Sequence, residues 1–226
     1  MSVNIFNLET GTGNTIVFLH GWGLNSSIFN AIKTDCPKLF CEIGNPESLC
    51  DDLNDIIKKR NLGPVHLVGF SMGACLSVEF AERFPKLVIS STLLALGTRY
   101  EQAVLNDIKE HVSQNIPAYL RSFYKACFVD PADFKSFYAE TGKQISEALS
   151  LESLLNGLKY LSTVSIQADD ISESTQLFHG KHDLIAPLSH LSELDLNDSD
   201  HLQILPNSGH YVLYSDKIQQ HVSKLS

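Results

Sequence analysis

A chain of 226 residues, 43% hydrophobic and 19% charged, has enough apolar material for one domain with a sizeable core. Its net charge of −9 leaves no basic stripe to neutralise phosphates, so no nucleic-acid partner is expected. No apolar run is long enough to cross a bilayer, and residues 1–11 lack a basic segment followed by an apolar one, so neither a membrane partner nor a secretory leader is expected.

The five cysteines (Cys36, Cys41, Cys50, Cys75, Cys127) are odd in number and contain no C-x-x-C pair. That pattern suits small, free, core thiols in a reducing compartment, and the expected location is the cytoplasm.

In chain order, Val3–Leu8 alternates apolar and polar residues and predicts a first strand, closed by the turn cluster Gly11-Thr12-Gly13-Asn14. Thr15–Leu19 is a continuous apolar run, as in a strand buried on both faces of a parallel sheet. It ends in His20-Gly21-Trp22-Gly23, whose two glycines let a loop turn its N–H groups inward. Ser26 or Ser27 can cap a helix running to about Thr34. Leu39–Ile43 predicts the next strand, and Asn45-Pro46-Glu47-Ser48 opens an amphipathic helix with Leu49, Leu53, Ile56 and Ile57 on one face.

Val65–Val68 is another apolar run, followed by Gly69-Phe70-Ser71-Met72-Gly73 and a helical stretch from Ala74. A strand turning sharply into a helix at G-x-S-x-G is a nucleophile elbow. The serine at the tip holds a strained backbone, and the residues two before and two after must be small for strand and helix to pass. The following helix points its free N–H groups and positive end at Ser71, which favours negative charge developing there. The rival reading is a Gly/Ser turn without chemical meaning. Leu87–Leu96 predicts a further buried strand.

From Gly97 to about Asp170 the strand signal stops. Helices are expected over Tyr100–Gln114, Ile116–Phe128, Pro131–Thr141 and Leu151–Leu161. This stretch carries seven basic and ten acidic residues, so it is no basic surface, although Arg121 and Lys125 fall four apart on one helix face. The sheet pattern resumes with Thr175–His179, ending in Gly180-Lys181-His182-Asp183, with a helix starting at Ala186-Pro187. Leu202–Leu205 is the last strand, followed by Pro206-Asn207-Ser208-Gly209-His210 and a C-terminal helix through Val222. The fold expected is α/β: a mostly parallel sheet flanked by helices, residues 1–96 and 171–226, with a helical cap inserted over 97–170.

An acid past one late strand and a histidine past the next can serve a serine at the elbow. The order Ser71, Asp183, His210 makes His210 the base and Asp183 the group that holds its tautomer. Asp183 has rivals in Asp195, Asp198 and Asp200, and His210 could be a helix cap. The histidines 66, 111, 179, 182, 190, 201 and 221, with His20, are assigned to structure or surface. No His/Cys/Asp/Glu grouping has metal-ligand spacing, so neither a metal nor a cofactor is expected.

Through His20–Gly23, Gly69–Gly73, Gly180–Asp183 and Ser208-Gly209-His210, the chain resembles the α/β-hydrolases along nearly its whole length. Within them, Leu19-His20-Gly21-Trp22-Gly23-Leu24-Asn25 resembles the pimeloyl-acyl-carrier-protein methyl ester esterases of biotin synthesis. The resemblance implies a carboxylesterase working through an acyl-enzyme, with the amides of Trp22 and Met72 as the oxyanion hole. It implies substrate contacts from Trp22, Phe70 and Phe123, and cationic contacts from Arg121 and Lys125 to an acidic acyl carrier protein. The partner is then a small-molecule or carrier-bound ester, and a monomer is expected. Two departures stand out: Glu42–Ser48 replaces the family's Asp-x-Pro-Gly-x-Gly-x-Ser loop, shortening one pocket wall, and Phe70 stands where Trp is common. Thioesterase, acyltransferase or C–C hydrolase chemistry with the same triad is the alternative, as is a ligand sensor on a hydrolase scaffold.

Overall fold

The computed structural model of the chain describes residues 3–192, 194 and 201–225. The apolar runs form a seven-stranded sheet. Its strands are β1 (Ile5–Glu9), β2 (Ile16–Leu19), β3 (Lys38–Glu42), β4 (Val65–Phe70), β5 (Val88–Leu94), β6 (Thr175–Gly180) and β7 (Leu202–Leu205), in the order β1-β3-β2-β4-β5-β6-β7. Only β1 runs antiparallel, at one edge. Every residue of β2 and β4 is buried, which is why their sequences are apolar without alternation save for His66, whose Nδ1 is hydrogen-bonded to Ser90 Oγ.

Helix α1 (Pro46–Arg60) begins with proline at its first position and ends at Asn61, whose φ of 52° reverses the chain. Leu49, Leu53 and Ile57 bury its apolar face. Helix α2 (Met72–Arg83) lies across the sheet, and Gly69 and Gly73 let it approach. A Cβ at Gly73 would strike the Leu19 carbonyl, and one at Gly69 the Gly73 carbonyl. Sequential strands go outward from β2 to β3, then return past β2 to β4 and continue the other way. That reversal opens a crevice at the carboxyl ends of β2 and β4, the position where open α/β sheets bind ligands.

Between β5 and β6 come α3 (Gln102–Gln114), α4 (Ile116–Ala126), α5 (Pro131–Phe137), α6 (Lys143–Ala148) and α7 (Leu151–Leu161), and the only β pairing among the described residues there is an isolated bridge, Arg99 to Ser165. The helix expected over Pro131–Thr141 stops at Phe137 and widens into a π-turn, Tyr138–Gly142, before α6. Gly142 rests against the Phe137 and Tyr124 rings, where a side chain would have no space. The helix expected from Ser26 to Thr34 shrinks to one 3₁₀ turn, Ser26–Phe29. Its cap is Asn25, whose Oδ1 accepts the Ser27 N–H, while Ser26 is tied to Glu42; Phe29 and Ile32 then turn into the core. The helix expected from Ala186 begins only at Ser189, as α8 (Ser189–Ser192), and the last helix is α9 (Asp216–Val222).

All five cysteines are buried and unbridged. Among the described residues no helix is long and apolar enough to cross a membrane.

Burial lowers the pKa of His20, His66, His179 and His221 below 6.5. The unfolded chain takes up these protons near pH 6.5, whereas the folded chain takes them up only at lower pH. The unfolded state therefore binds more protons in that window, and stability falls as pH falls, by at most about 1.36 kcal/mol per pH unit for each deeply buried group and by less for the partly solvated His221. His111 shifts upward beside the Asp107 carbonyl, but it is exposed and opposes this trend weakly. Urea midpoints should accordingly drop between pH 7 and pH 5.5; a flat profile across that window would contradict the buried, neutral state of these imidazoles.

Candidate active site

Ser71 sits between β4 and α2 with φ 54° and ψ −117°, a region a non-glycine residue enters at a cost of order 1–3 kcal/mol. The strain is held by the surroundings: its N–H donates to the Leu94 carbonyl at 2.8 Å, and its own carbonyl accepts the Ala74 N–H at 2.8 Å. The side chain is thereby projected into the crevice.

Asp183 and His210 reach the same point from the loops after β6 and β7. A Cβ at Gly180 would strike the Gly209 carbonyl, so the two loops touch and carry their side chains together. His210 Nδ1 lies 2.7 Å from Asp183 Oδ2, and Nε2 lies 2.9 Å from Ser71 Oγ. All three residues are buried. The other carboxylate oxygen, Asp183 Oδ1, accepts the Ile185 and Ala186 N–H groups, each at 2.8 Å, which fixes the plane of the carboxylate. Burial alone would raise its pKa, but the His210 imidazole, with His179 and the Ala186 amide, holds it below the ordinary carboxylate value. An ionised Asp183 requires the proton on His210 Nδ1, which leaves Nε2 free to accept from Ser71. The rival acids Asp195, Asp198 and Asp200 lie outside the described residues.

His179, assigned to structure in the sequence, stands beside this line. Its Nε2–H donates to the Ala186 carbonyl at 2.8 Å and lies 3.3 Å from Asp183 Oδ2. It braces the turn that aims Asp183, a role no spacing in the sequence signals. His20 is tied into the backbone, with Nδ1–H donating to the Gly21 carbonyl and Nε2 accepting the Ile43 N–H.

Two backbone amides close to Ser71 in the chain or along the crevice, those of Met72 and Trp22, are left without a backbone acceptor among the described residues. Met72 is the first residue of α2, so its N–H has no carbonyl four residues back. No backbone carbonyl of the described residues takes the Trp22 N–H. The Trp22 loop is anchored from above: its Nε1 donates to the Leu154 carbonyl at 2.8 Å, and Tyr124 Oη donates to the Gly23 carbonyl at 2.6 Å. Gly23 has φ 69°, so the loop turns at a position suited to glycine.

The space around Ser71 is unequal. On the His210 side, aromatic rings leave only ≈ 10 Å³ between Trp22, Phe70, Phe123, Phe128, Tyr211 and His210. Phe70, expected to contact substrate, stacks obliquely on the His210 ring with centroids 5.2 Å apart and lines this small space, not the wider cleft. On the other side a cleft of ≈ 380 Å³ opens from Ser71 between α3, α4 and the loop after Asp183, walled mainly by apolar groups including Trp22, Ile108, Phe123 and Leu161. Trp22 and Phe123 line both spaces. Arg121 and Lys125, expected to meet an acidic carrier protein, line neither. At 100° per residue they point to the side of α4 opposite Tyr119 and Phe123. Arg121 instead covers the Tyr138 ring at 5.3 Å. Nor does any residue of Glu42–Ser48 line these spaces.

The comparisons agree with this architecture. A family model described as the alpha/beta hydrolase fold matches residues 40–136. The AB hydrolase superfamily protein YisY of Bacillus subtilis is 25% identical, covering 95% of this chain and 91% of its own. A pimeloyl-[acyl-carrier protein] methyl ester esterase of Nitrosomonas europaea is 24% identical over 79% of this chain and 81% of its own. Among solved structures, an esterase from Exiguobacterium antarcticum superposes with a TM-score of 0.81 at 18% identity, covering 97% of this chain and 93% of that one.

Proposed function

We propose that this chain, an alpha/beta hydrolase by fold, is a serine hydrolase that cleaves a carboxylic ester of a small alcohol through an acyl-enzyme. The observation that carries the reading is the unbroken hydrogen-bonded line from Asp183 through His210 to Ser71. Ser71 Oγ attacks the ester carbonyl while His210 Nε2 takes its proton, and Asp183 steadies the imidazolium that results. The N–H groups of Trp22 and Met72 receive the oxyanion. His210 returns the proton to the departing alcohol. A water, deprotonated in turn by His210, then attacks the acyl-enzyme to release the acid and restore Ser71 Oγ–H.

The two spaces divide the substrate. The leaving oxygen must accept its proton from His210, so the alcohol belongs on the His210 side, where ≈ 10 Å³ is left. The acyl group then takes the apolar cleft of ≈ 380 Å³. A methyl ester of a medium acyl chain suits that division, and several relatives at modest identity are pimeloyl-[acyl-carrier protein] methyl ester esterases. A carrier-bound pimeloyl methyl ester is therefore the leading candidate. A carrier would have to meet the protein at the cleft mouth, away from Arg121 and Lys125.

A substrate panel tests this. Methyl butanoate, butyl butanoate, a butanoyl thioester and a pimeloyl methyl ester on acyl carrier protein are compared in wild type and Ser71→Ala. The expected result is Ser71-dependent hydrolysis with methyl favoured over butyl, highest on the carrier-bound ester. Turnover of the small methyl ester alone would remove the carrier substrate, and the absence of any Ser71-dependent turnover would contradict the serine-hydrolase reading.

A further inference from the structure

One polar group on the cleft floor is unused by the triad and the oxyanion amides. Tyr100, in the turn between β5 and α3, lines the cleft together with Ser71. Its hydroxyl is buried and, beside the Cys75 thiol and the Ser71 hydroxyl, forms no well-directed hydrogen bond among the described residues. A phenol that gives up water without a partner costs about 1–3 kcal/mol, so a lone one beside a reactive serine calls for a ligand that supplies the acceptor. The ring is held in place: a Cβ on Gly97 would collide with the hydroxyl, which rests directly over that glycine. Burial, reinforced by the Cys75 thiol and Asp183 carboxylate, raises the phenol's pKa well above 10, while the neighbouring Ser71 hydroxyl lowers it in part. The group is thus a hydrogen-bond donor throughout the working pH range.

Much of the rest of the cleft wall is apolar, with charged groups such as Arg99, Glu101 and Asp107 also contributing. We infer that Tyr100 determines acyl specificity: its hydroxyl donates to an oxygen carried by the acyl chain within a few atoms of the reacting carbonyl, so the cleft selects oxygen-substituted over plain alkyl acyl groups. This rests on the serine-hydrolase reading above and on the acyl group occupying the cleft. The physical reason is that a site built around a hydrogen bond rejects an analogue lacking the acceptor, because the site's own donor is then left unpaired.

The test compares methyl methoxyacetate with methyl butanoate, whose acyl chains have the same length and differ by an ether oxygen in place of a methylene. Intrinsic reactivity cancels when each ester's kcat/KM is taken as the ratio of wild type to Tyr100→Phe. The expected result is a ratio roughly 3- to 10-fold larger for the methoxyacetate, the worth of one neutral hydrogen bond. Gly97→Ala, whose new methyl displaces the hydroxyl, should shift selectivity in the same direction and covers the case in which Tyr100→Phe folds poorly. Equal ratios for the two esters, whether both large or both near one, would overturn the inference while leaving the triad intact. Wild-type protein with no Ser71-dependent hydrolysis of either ester would overturn both readings.

Discussion

Ser71→Ala will lower kcat for methyl butanoate by on the order of 10⁶-fold while leaving the melting transition nearly in place. The oxygen removed is the atom that forms the acyl-enzyme, and neither His210 nor Asp183 can replace it. Alanine keeps the backbone strain at φ 54°, because it too has a Cβ, so the elbow loses chemistry and not geometry. What survives is the catalysis supplied by binding and the two amides, acting on water alone. Steady-state kinetics with a pH-stat, alongside thermal melts, measures both halves. Activity within about tenfold of wild type would mean another nucleophile does the work.

The second large effect is at Asp183. Asp183→Asn should reduce kcat on the order of 10⁴-fold with the fold intact. The asparagine oxygen can still accept the Ile185 and Ala186 N–H groups that Asp183 Oδ1 accepts now, so the turn survives. The amide NH₂ then faces His210 Nδ1, which must become the acceptor. The ring proton moves to Nε2, which can no longer receive the proton of Ser71. The expected signature is a collapse in kcat with little change in KM and near-ultraviolet circular dichroism like the wild type. Retained activity would transfer the role to another acid.

Much of this architecture was legible in the sequence because burial on both faces writes itself as uninterrupted apolar runs. Ile16–Leu19 is such a run and Val65–Phe70 is one broken only by His66, and both lie at the centre of the sheet. The glycines flanking Ser71 were legible for a similar reason: close passage of α2 over β2 and β4 leaves no space for a Cβ at either. Periodicity also located the helices between β5 and β6 except α6, which was not expected. It could not show that Gly142 would press against Phe137 and open a π-turn there. Nor could it tell which side of α4 faces the cleft. Arg121 and Lys125 share a face in any helix, and only the packing of Leu120 and Tyr124 into the core turns that face outward. Tyr100 and His179 escaped notice because their significance is convergence in space. One is brought to Ser71 by the turn after β5, the other to Asp183 by the turn after β6, and neither approach follows from spacing. Nor does spacing tell which space Phe70 borders: as the last residue of β4 its ring turns toward His210 and Tyr211, beside the small space and away from the wide cleft.

The central claim is that Ser71 Oγ is a nucleophile activated by His210. Covalent labelling with an alkyl fluorophosphonate, followed by intact-mass and peptide mapping, tests it most directly, because fluoride is a small leaving group and the alkyl chain can occupy the cleft. The account predicts a single adduct on the peptide containing Ser71, lost in Ser71→Ala and strongly slowed in His210→Ala. Labelling that persists in Ser71→Ala, or that proceeds as fast without His210, would contradict it.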